Sequence, residues 1–121
     1  MAKILIVEDN EMNMRLFSDL LRSKGHNVFE CSEGSKAVAQ TKKIKPDLIL
    51  MDIQMPEVDG LTATKMIRKT PAIAKTKIIA VTAFAMEGDA ERILAGGCDG
   101  YISKPISVVS FFKTIDEILA K

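Results

Sequence analysis

Short apolar runs alternate along the chain with segments in which apolar residues recur every three or four positions. Uninterrupted apolar runs are typical of strands buried on both faces, and the spaced segments are typical of amphipathic helices. The pattern predicts strands at residues 3–7, 27–31, 47–52, 77–83 and 100–104. It predicts helices at residues 10–24, 33–44, 60–70, 87–95 and 108–119.

Capping residues mark several of these boundaries. Asp59 and Ser107 are suited to cap the third and fifth helices, because their side-chain oxygens can accept hydrogen bonds from free backbone N–H groups. Gly25 and the Gly96–Gly97 pair are suited to end the first and fourth helices. The apolar stripes expected to face the core are Leu16, Phe17, Leu20 and Leu21 in the first helix and Val108, Phe111, Phe112, Ile115, Ile118 and Leu119 in the fifth.

The alternation of strands and helices predicts an α/β fold. Each strand–helix–strand unit makes a right-handed crossover, which gives a doubly wound five-stranded parallel sheet with five helices on both faces. The second strand, "NVFEC", carries interleaved polar residues and belongs at an edge, whereas the first, third and fourth strands are apolar enough to be central. The strand order 2-1-3-4-5, that of a flavodoxin-like sheet, fits this pattern.

Composition narrows the class of protein. The chain has 121 residues, of which 47% are hydrophobic, and this length suits a single domain. A net charge of +1 gives no reason to expect nucleic acid or an anionic membrane as a partner. The sequence has no apolar run long enough for membrane insertion and no signal peptide, so we expect a cytoplasmic protein. The two cysteines, Cys31 and Cys98, are expected to be free buried thiols.

Polar side chains collect where the predicted strands end. Glu8 and Asp9 follow the first strand, and Asp52 ends the apolar run "LILMD" of the third. The fourth strand ends in Thr82-Ala83, and the fifth ends in Lys104-Pro105. Ligands of such sheets bind beyond the carboxyl ends of the strands, beside the point where the strand order reverses. Because that point lies between the first and third strands, the five side chains are expected to form one site.

Three carboxylates at one site need a cation. Two carboxylates about 5 Å apart repel each other by roughly 3 kcal/mol at an effective dielectric constant near 20, and a whole domain is stable by only about 5–15 kcal/mol. Lys104 alone does not offset this repulsion, whereas Mg²⁺ prefers such oxygen ligands and readily shares its shell with phosphate. Taken singly, each acid could be a helix cap, Thr82 a plain strand residue and Lys104 a solvated end. Their joint placement favours a divalent-metal site with room for a phosphoryl group.

Four motifs at these strand ends resemble those of a known family. They are "ILIVEDN", "PDLILMDIQMPEVDGL", "VTA" and "YISKPI". In order and spacing, the chain resembles the receiver domain of two-component response regulators over essentially its whole length. The segments "VTAFAMEGDAERI" and "GGCDGYISKPISV" are similar to those of stand-alone receivers that act in the cell cycle.

The resemblance implies a metal-dependent phosphoacceptor. Asp52 would accept the phosphoryl group, and Asp9, Asp52 and the backbone carbonyl of Gln54 would bind Mg²⁺, for which Mn²⁺ can substitute. Glu8, where many receivers have aspartate, would act through a metal-bound water. Gln54 and Phe84 occupy positions that influence in this family how fast the acyl phosphate hydrolyses.

The resemblance also implies how the residues around the phosphoryl group bind it and respond to it. Thr82 would hydrogen-bond a phosphoryl oxygen, and Lys104 would pair with the phosphoryl charge. Ala83 would leave space for the donor histidine, and the Lys104–Pro105 bond (Pro105 is the proline of "SKP") would be cis. Tyr101 would be a switch aromatic that turns inward when Thr82 moves; a half-buried tyrosine with a solvated hydroxyl is the structural alternative.

The function implied is that of a single-domain response regulator. Residues 1–121 would form one receiver domain without an output domain. A histidine kinase or histidine phosphotransfer protein would supply the phosphoryl group. The face made by the fourth helix, fifth strand and fifth helix would bind an output partner in cell-cycle or cell-division control. The protein would be no enzyme beyond its own phosphorylation and slow autodephosphorylation, and a monomer or a weak dimer.

Three other functions are compatible with parts of the pattern. A Mg²⁺-dependent phosphohydrolase with Asp52 as nucleophile commonly has a second aspartate at the position of Gln54. An FMN carrier would have a loop rich in Ser, Thr and Gly after the first strand, where this chain has Glu8-Asp9-Asn10. A receiver-like binding module without phosphorylation need not keep every site residue, yet all five are present.

Overall fold

A parallel sheet runs through the computed structural model, which describes residues 2–55, 57–83 and 88–121. The strands of the described residues are β1 (Lys3–Val7), β2 (Asn27–Cys31), β3 (Leu48–Asp52), β4 (Lys77–Thr82) and β5 (Gly100–Ser103). They pair in the order β2-β1-β3-β4-β5, and every pairing is parallel. The predicted fold class and strand order are therefore confirmed, with β2 at an edge.

Helices follow the strands in alternation along the chain. They are α1 (Glu11–Ser23), α2 (Ala37–Ile44), α3 (Gly60–Arg68), α4 (Asp89–Ala95) and α5 (Val108–Leu119). The predicted second helix differs at its start, because residues 34–36 form a 3₁₀ turn before α2. Strands β3, β4 and β5 are each one residue shorter than predicted, and residue 87, the predicted start of the fourth helix, lies outside the described residues.

Side-chain caps fix the starts of three helices. Asn10 Oδ1 accepts a hydrogen bond from the N–H of Asn13 at 2.9 Å, at the start of α1. Asp59 Oδ1 accepts from the N–H of Thr62 at 2.8 Å, and Ser107 caps α5 in the same way. Each cap pairs a backbone donor that the helix itself leaves free. The caps at Asp59 and Ser107 confirm the predicted helix starts.

Each face of the sheet carries its own apolar core, because successive strand residues point to opposite faces. Helices α1 and α5 cover one face, where the rings of Phe17 and Phe111 stack with centroids 5.8 Å apart. The buried strand residues of this core are Ile4, Ile6, Leu48, Leu50, Ile79, Val81 and Ile102. Helices α2, α3 and α4 cover the other face, where the buried strand residues are Leu5, Val7, Cys31, Ile49, Met51, Ile78 and Ala80. β3 therefore lies between two cores and is buried throughout.

The predicted apolar stripes are wrong at two positions. Leu16 is 41% exposed, because α1 turns Met14, Phe17 and Leu21 toward the sheet and leaves Leu16 about 100° away from Phe17 on the helix surface. Val108 is 48% exposed, because it begins α5 one turn before the first buried residue of the helix, Phe111.

Two further expectations concern the cysteines and the membrane. Cys31 and Cys98 are free and buried, as predicted. Among the helices of the described residues, none combines the length and the apolarity that a bilayer crossing needs.

Candidate functional site

Asp52 is held at the carboxyl end of the central strand β3. Its side chain is buried, with the residue only 2% exposed. The residue pairs with Val81 of β4, and the N–H of Ile53 donates to the carbonyl of Val81 at 3.1 Å, so the pairing continues past the end of the strand. Oδ1 of Asp52 accepts a hydrogen bond from the N–H of Gln54 at 3.0 Å. The strand and the following turn therefore fix the carboxylate in one orientation.

Two more carboxyl groups arrive from the neighbouring strand. Glu8 directly follows β1, is 1% exposed, and continues the pairing with β2 because its N–H donates to the carbonyl of Cys31 at 3.0 Å. Asp9 is the next residue and is exposed. One oxygen each of Glu8, Asp9 and Asp52 lies within 4.8 Å of the others. The fold thus brings the adjacent acids Glu8 and Asp9 together with Asp52, which lies more than forty positions later in the sequence.

Lys104 reaches the same carboxyl groups from β5. Its Nζ lies 3.8 Å from Oδ1 of Asp52 and 3.9 Å from Oε1 of Glu8. The N–H of Lys104 donates to the carbonyl of Thr82 at 2.8 Å, which extends the β4–β5 pairing to the lysine. The Lys104–Pro105 peptide bond is cis. The half-buried ammonium therefore faces the carboxylate of Asp52 from across β4.

The protonation of Glu8 shows how crowded the acids are. Burial, and then the adjacent carboxyl group of Asp52, raise the pKa of Glu8 to about 8, although the N–H of Asn10 and the charge of Lys104 act in the opposite direction. Among the described residues, Oε1 of Glu8 is a buried oxygen without a hydrogen-bond partner. Desolvation disfavours the charged form of a carboxyl group, so Glu8 is mostly protonated near neutral pH when no cation is bound.

These features fit a divalent metal with oxygen ligands. Three carboxyl groups whose oxygens lie together are the hard donors that Mg²⁺ prefers, and such a site usually keeps water in part of the coordination shell. A cation would also provide the partner that Oε1 of Glu8 lacks. The ammonium of Lys104 brings a single positive charge to three acids, so the site can accept the further positive charge of a metal ion. Glu8, Asp9 and Asp52 each offer it one carboxylate oxygen.

The remaining predicted residues lie beside this cluster. Thr82 is buried at the same edge of the sheet, one position beyond the partner of Asp52, and pairs with Ser103. Ala83 follows it and is exposed. Tyr101 is 41% exposed and pairs with Ala80 inside the sheet, so it lies away from the carboxyl groups. Phe84, at a position predicted to influence hydrolysis, lies outside the described residues.

Two contacts at the site were not predicted from the sequence. A Cβ atom on Gly60 would lie 2.2 Å from the backbone oxygen of Asp52, so only glycine lets α3 begin this close to β3. A glycine in the first turn of a predicted helix is the sequence signal for such an approach. The side chain of Gln54 is the second case, because its Oε1 accepts a hydrogen bond from the N–H of Ala83 at 3.2 Å.

Comparison with known proteins places these features in a family. The family model of the response regulator receiver domain matches residues 4–116. The polar-differentiation response regulators DivK of Brucella anthropi and Brucella ovis are each 51% identical to the chain over 116 residues. The match covers 96% of this chain and 94% of each relative.

Solved structures are similar over the same length. The receiver domain of a sensor histidine kinase from Pseudomonas aeruginosa, described with a magnesium ion coordinated in its active site cleft, is 34% identical, with a TM-score of 0.90 and coverage of 99% of this chain and 98% of that one. The chemotaxis protein CheY4 of Vibrio cholerae is 27% identical, with a TM-score of 0.90 and coverage of 98% of both chains.

Proposed function

The chain belongs to the family of response regulator receiver domains, and on that premise we propose that it is a single-domain response regulator phosphorylated on Asp52. The donor is a phosphohistidine of a histidine kinase or of a histidine phosphotransfer protein. The observation that carries this proposal is the placement of Asp52: a buried carboxylate at the end of the central strand, with the Gln54 N–H on its Oδ1 and the Lys104 ammonium 3.8 Å away.

The reaction transfers the phosphoryl group from nitrogen to oxygen. A carboxylate oxygen of Asp52 attacks the phosphorus, the phosphorus–nitrogen bond breaks, and its electron pair leaves with the donor imidazole. Lys104 stabilises the negative charge on the phosphoryl oxygens, because it is fixed beside the acceptor before the reaction begins. Thr82 donates its hydroxyl hydrogen bond to a phosphoryl oxygen. Ala83, small and exposed, leaves the donor histidine a path to Asp52.

Asp9, Asp52 and the backbone carbonyl of Gln54 are proposed to hold Mg²⁺ directly, with Glu8 acting through water. When bound, the ion supplies positive charge that offsets the carboxylates and the phosphoryl oxygens. Mn²⁺ is expected to replace it, since carboxylate, carbonyl and water oxygens suit both ions. The oxygen cluster of Glu8, Asp9 and Asp52 supports this assignment, as does the buried Oε1 of Glu8, which accepts no hydrogen bond from the described residues.

Phosphorylation is proposed to act as a switch through Thr82 and Tyr101. A phosphoryl group replaces the single charge of the Asp52 carboxylate with nearly two and adds three strong acceptor oxygens, which draw the Thr82 hydroxyl toward Asp52. Tyr101 then turns from its exposed position toward the space behind β4. The population of two arrangements of the α4–β5–α5 face shifts as a result.

The signal leaves the protein as a change in binding at that face. A groove of about 400 Å³ lies on the β5–α5 part of that face, lined by residues that include Tyr101, Ser103, Pro105, Ser107 and Ser110. We expect an output partner protein to bind the two states with different affinity. Since the relatives named above are polar-differentiation regulators, cell-cycle or cell-division control is the proposed pathway. The family consists of signalling proteins, so catalysis is limited to the chain's own phosphorylation and slow dephosphorylation.

A small phosphodonor tests the proposal without a partner protein. Incubation with acetyl phosphate and Mg²⁺ is expected to add the mass of one phosphoryl group to the wild type and none to Asp52→Asn. Asp116→Asn, the same change at an exposed position on α5, is the matched control and should be labelled normally. Labelling of Asp52→Asn, or no labelling of the wild type, would reject the proposal. Sustained hydrolysis of unrelated phosphoesters would instead favour a phosphohydrolase.

A further inference from the structure

Gln54 makes two hydrogen bonds at the mouth of the site. Its backbone N–H donates to Oδ1 of Asp52 at 3.0 Å, and its side-chain Oε1 accepts from the backbone N–H of Ala83 at 3.2 Å. Gln54 and Ala83 are both exposed. One residue therefore links the carboxylate at the end of β3 to the first backbone donor after β4.

The sheet itself brings these two residues together. Asp52 is paired with Val81, and the N–H of Ile53 donates to the carbonyl of Val81. The segments that follow β3 and β4 therefore remain side by side, and Gln54 lies opposite Ala83 just beyond the sheet. Because the approach follows from strand register, the side-chain contact belongs to the resting arrangement of the site.

The contact occupies a donor that a phosphoryl group would use. The N–H of Ala83 lies at the edge of the sheet where Asp52 is proposed to be modified, next to Thr82. Phosphoryl oxygens are charged acceptors, and their hydrogen bonds are about twice as strong as those of a neutral amide carbonyl. A phosphoryl group on Asp52 would therefore compete successfully with Oε1 of Gln54 for this N–H.

We propose that Gln54 is a positioning residue, which holds the Ala83 N–H through its side-chain carbonyl in the unphosphorylated protein and is displaced from it by a phosphoryl oxygen. This inference rests on the function proposed above. The hydrogen bond between Gln54 and Ala83 keeps the donor aligned, but it must break before the donor can stabilise the phosphorylated form. A stronger hydrogen bond between Gln54 and Ala83 therefore lowers the affinity of the site for a phosphoryl group.

Beryllofluoride, a stable mimic of the phosphoryl group, tests the sign of this effect in the presence of Mg²⁺. Gln54→Ala removes the competing carbonyl and is expected to bind beryllofluoride about twofold to tenfold more tightly than the wild type, the range for one neutral hydrogen bond. Gln54→Glu should bind it more weakly, because a carboxylate holds the N–H more firmly and repels the anion. Gln40→Ala, the same truncation on α2, is the control and should match the wild type.

Amide hydrogen exchange provides a readout at Ala83 itself. Without beryllofluoride, the Ala83 N–H should exchange faster in Gln54→Ala than in the wild type; with beryllofluoride it should be protected in both. If Gln54 only stiffened the loop, its truncation would weaken beryllofluoride binding. If the wild type binds beryllofluoride and Gln54→Ala binds it equally or more weakly, this inference is overturned and the proposed function is not. A wild type that does not bind would overturn the proposed function, and this inference with it.

Discussion

Lys104 Nζ lies 3.8 Å from Asp52 Oδ1, although Asp52 ends β3, Lys104 directly follows β5, and β4 lies between the two strands. The lysine reaches so far because its own N–H continues the pairing with β4 by donating to the carbonyl of Thr82. Its ammonium is therefore placed by the sheet and not by a flexible loop. A fixed positive charge beside a buried carboxylate stabilises added negative charge without reorganisation.

Replacing this lysine should slow phosphorylation. A unit charge about 4 Å away contributes at most about 4 kcal/mol at an effective dielectric constant near 20. Since solvent and the metal offset part of this, Lys104→Gln is expected to lower the rate of phosphorylation by acetyl phosphate by about 10- to 100-fold at saturating Mg²⁺. Lys113→Gln, at an exposed position on α5, is the control for the loss of a charge. A rate within twofold of the wild type for Lys104→Gln would contradict the assigned role.

Glu8 should make the metal-free protein less stable as the pH rises. Its pKa is about 8 in the folded protein, against an ordinary value of 4.5, so the folded state retains a proton that the unfolded state has lost. The stabilising contribution of the neutral carboxyl group is complete below pH 4.5 and is lost as the pH rises to about 8. At about 1.4 kcal/mol for each pKa unit, the loss amounts to several kcal/mol.

Urea unfolding of metal-free protein checks this dependence. Between about pH 5 and pH 8, the wild type should lose several kcal/mol of unfolding free energy relative to Glu8→Gln, whose side chain does not titrate. Glu117→Gln, an exposed residue of α5, should follow the wild type. Added Mg²⁺ should restore stability near pH 8, because ion binding favours the ionised acids. Parallel pH profiles of the wild type and Glu8→Gln would disprove the raised pKa.

Gly60 should tolerate no side chain. A methyl group there would lie 2.2 Å from the backbone oxygen of Asp52 and 2.8 Å from Cα of Ile53, and backbone atoms cannot move aside without displacing the end of β3. Gly60→Ala is expected to lower the unfolding free energy by about 2–3 kcal/mol, the upper part of the range for overpacking. Gly100→Ala is the matched control, because its nearest neighbour is the flexible end of Ile118 at 3.4 Å. Denaturant unfolding of both variants measures the two losses. An equal loss of unfolding free energy in Gly60→Ala and Gly100→Ala would refute the steric account.

The two thiols should be unreactive in the folded protein. Burial raises the pKa of Cys31 and of Cys98, so little of either thiol is present as the nucleophilic thiolate. Dithionitrobenzoate should react with both at least about tenfold more slowly in buffer than in denaturant. Rapid reaction of one cysteine under native conditions would mean that its surroundings open far more readily than the packed structure indicates.

The sequence was most informative where one physical requirement dominated. Strand β3 was predictable because an uninterrupted apolar run must lie between two cores, and the edge position of β2 followed from its interleaved polar residues. The caps at Asp59 and Ser107 were predictable because they need only a local hydrogen bond. The exposure of Leu16 was not predictable, because the packing of α1 on the sheet decides which side of the helix is buried.

The sequence predicted which residues form the site better than it predicted the contacts between them. The placement of Glu8, Asp9, Asp52 and Lys104 follows from strand ends and strand order alone. The raised pKa of Glu8 depends on burial and on its contact with Asp52, which no pattern along the chain encodes. The hydrogen bond from Ala83 to Gln54 likewise requires the two loops to be built side by side.

The central claim is that Asp52 carries the phosphoryl group, and borohydride trapping tests it at the level of the residue. Borohydride reduces an aspartyl phosphate to homoserine, which peptide mass spectrometry locates in the sequence. After treatment with acetyl phosphate and Mg²⁺, homoserine is expected at position 52 and nowhere else, and chelation of the metal should abolish it. Homoserine at position 9 or 59 instead, or its absence from a protein that has gained a phosphoryl mass, would contradict the account.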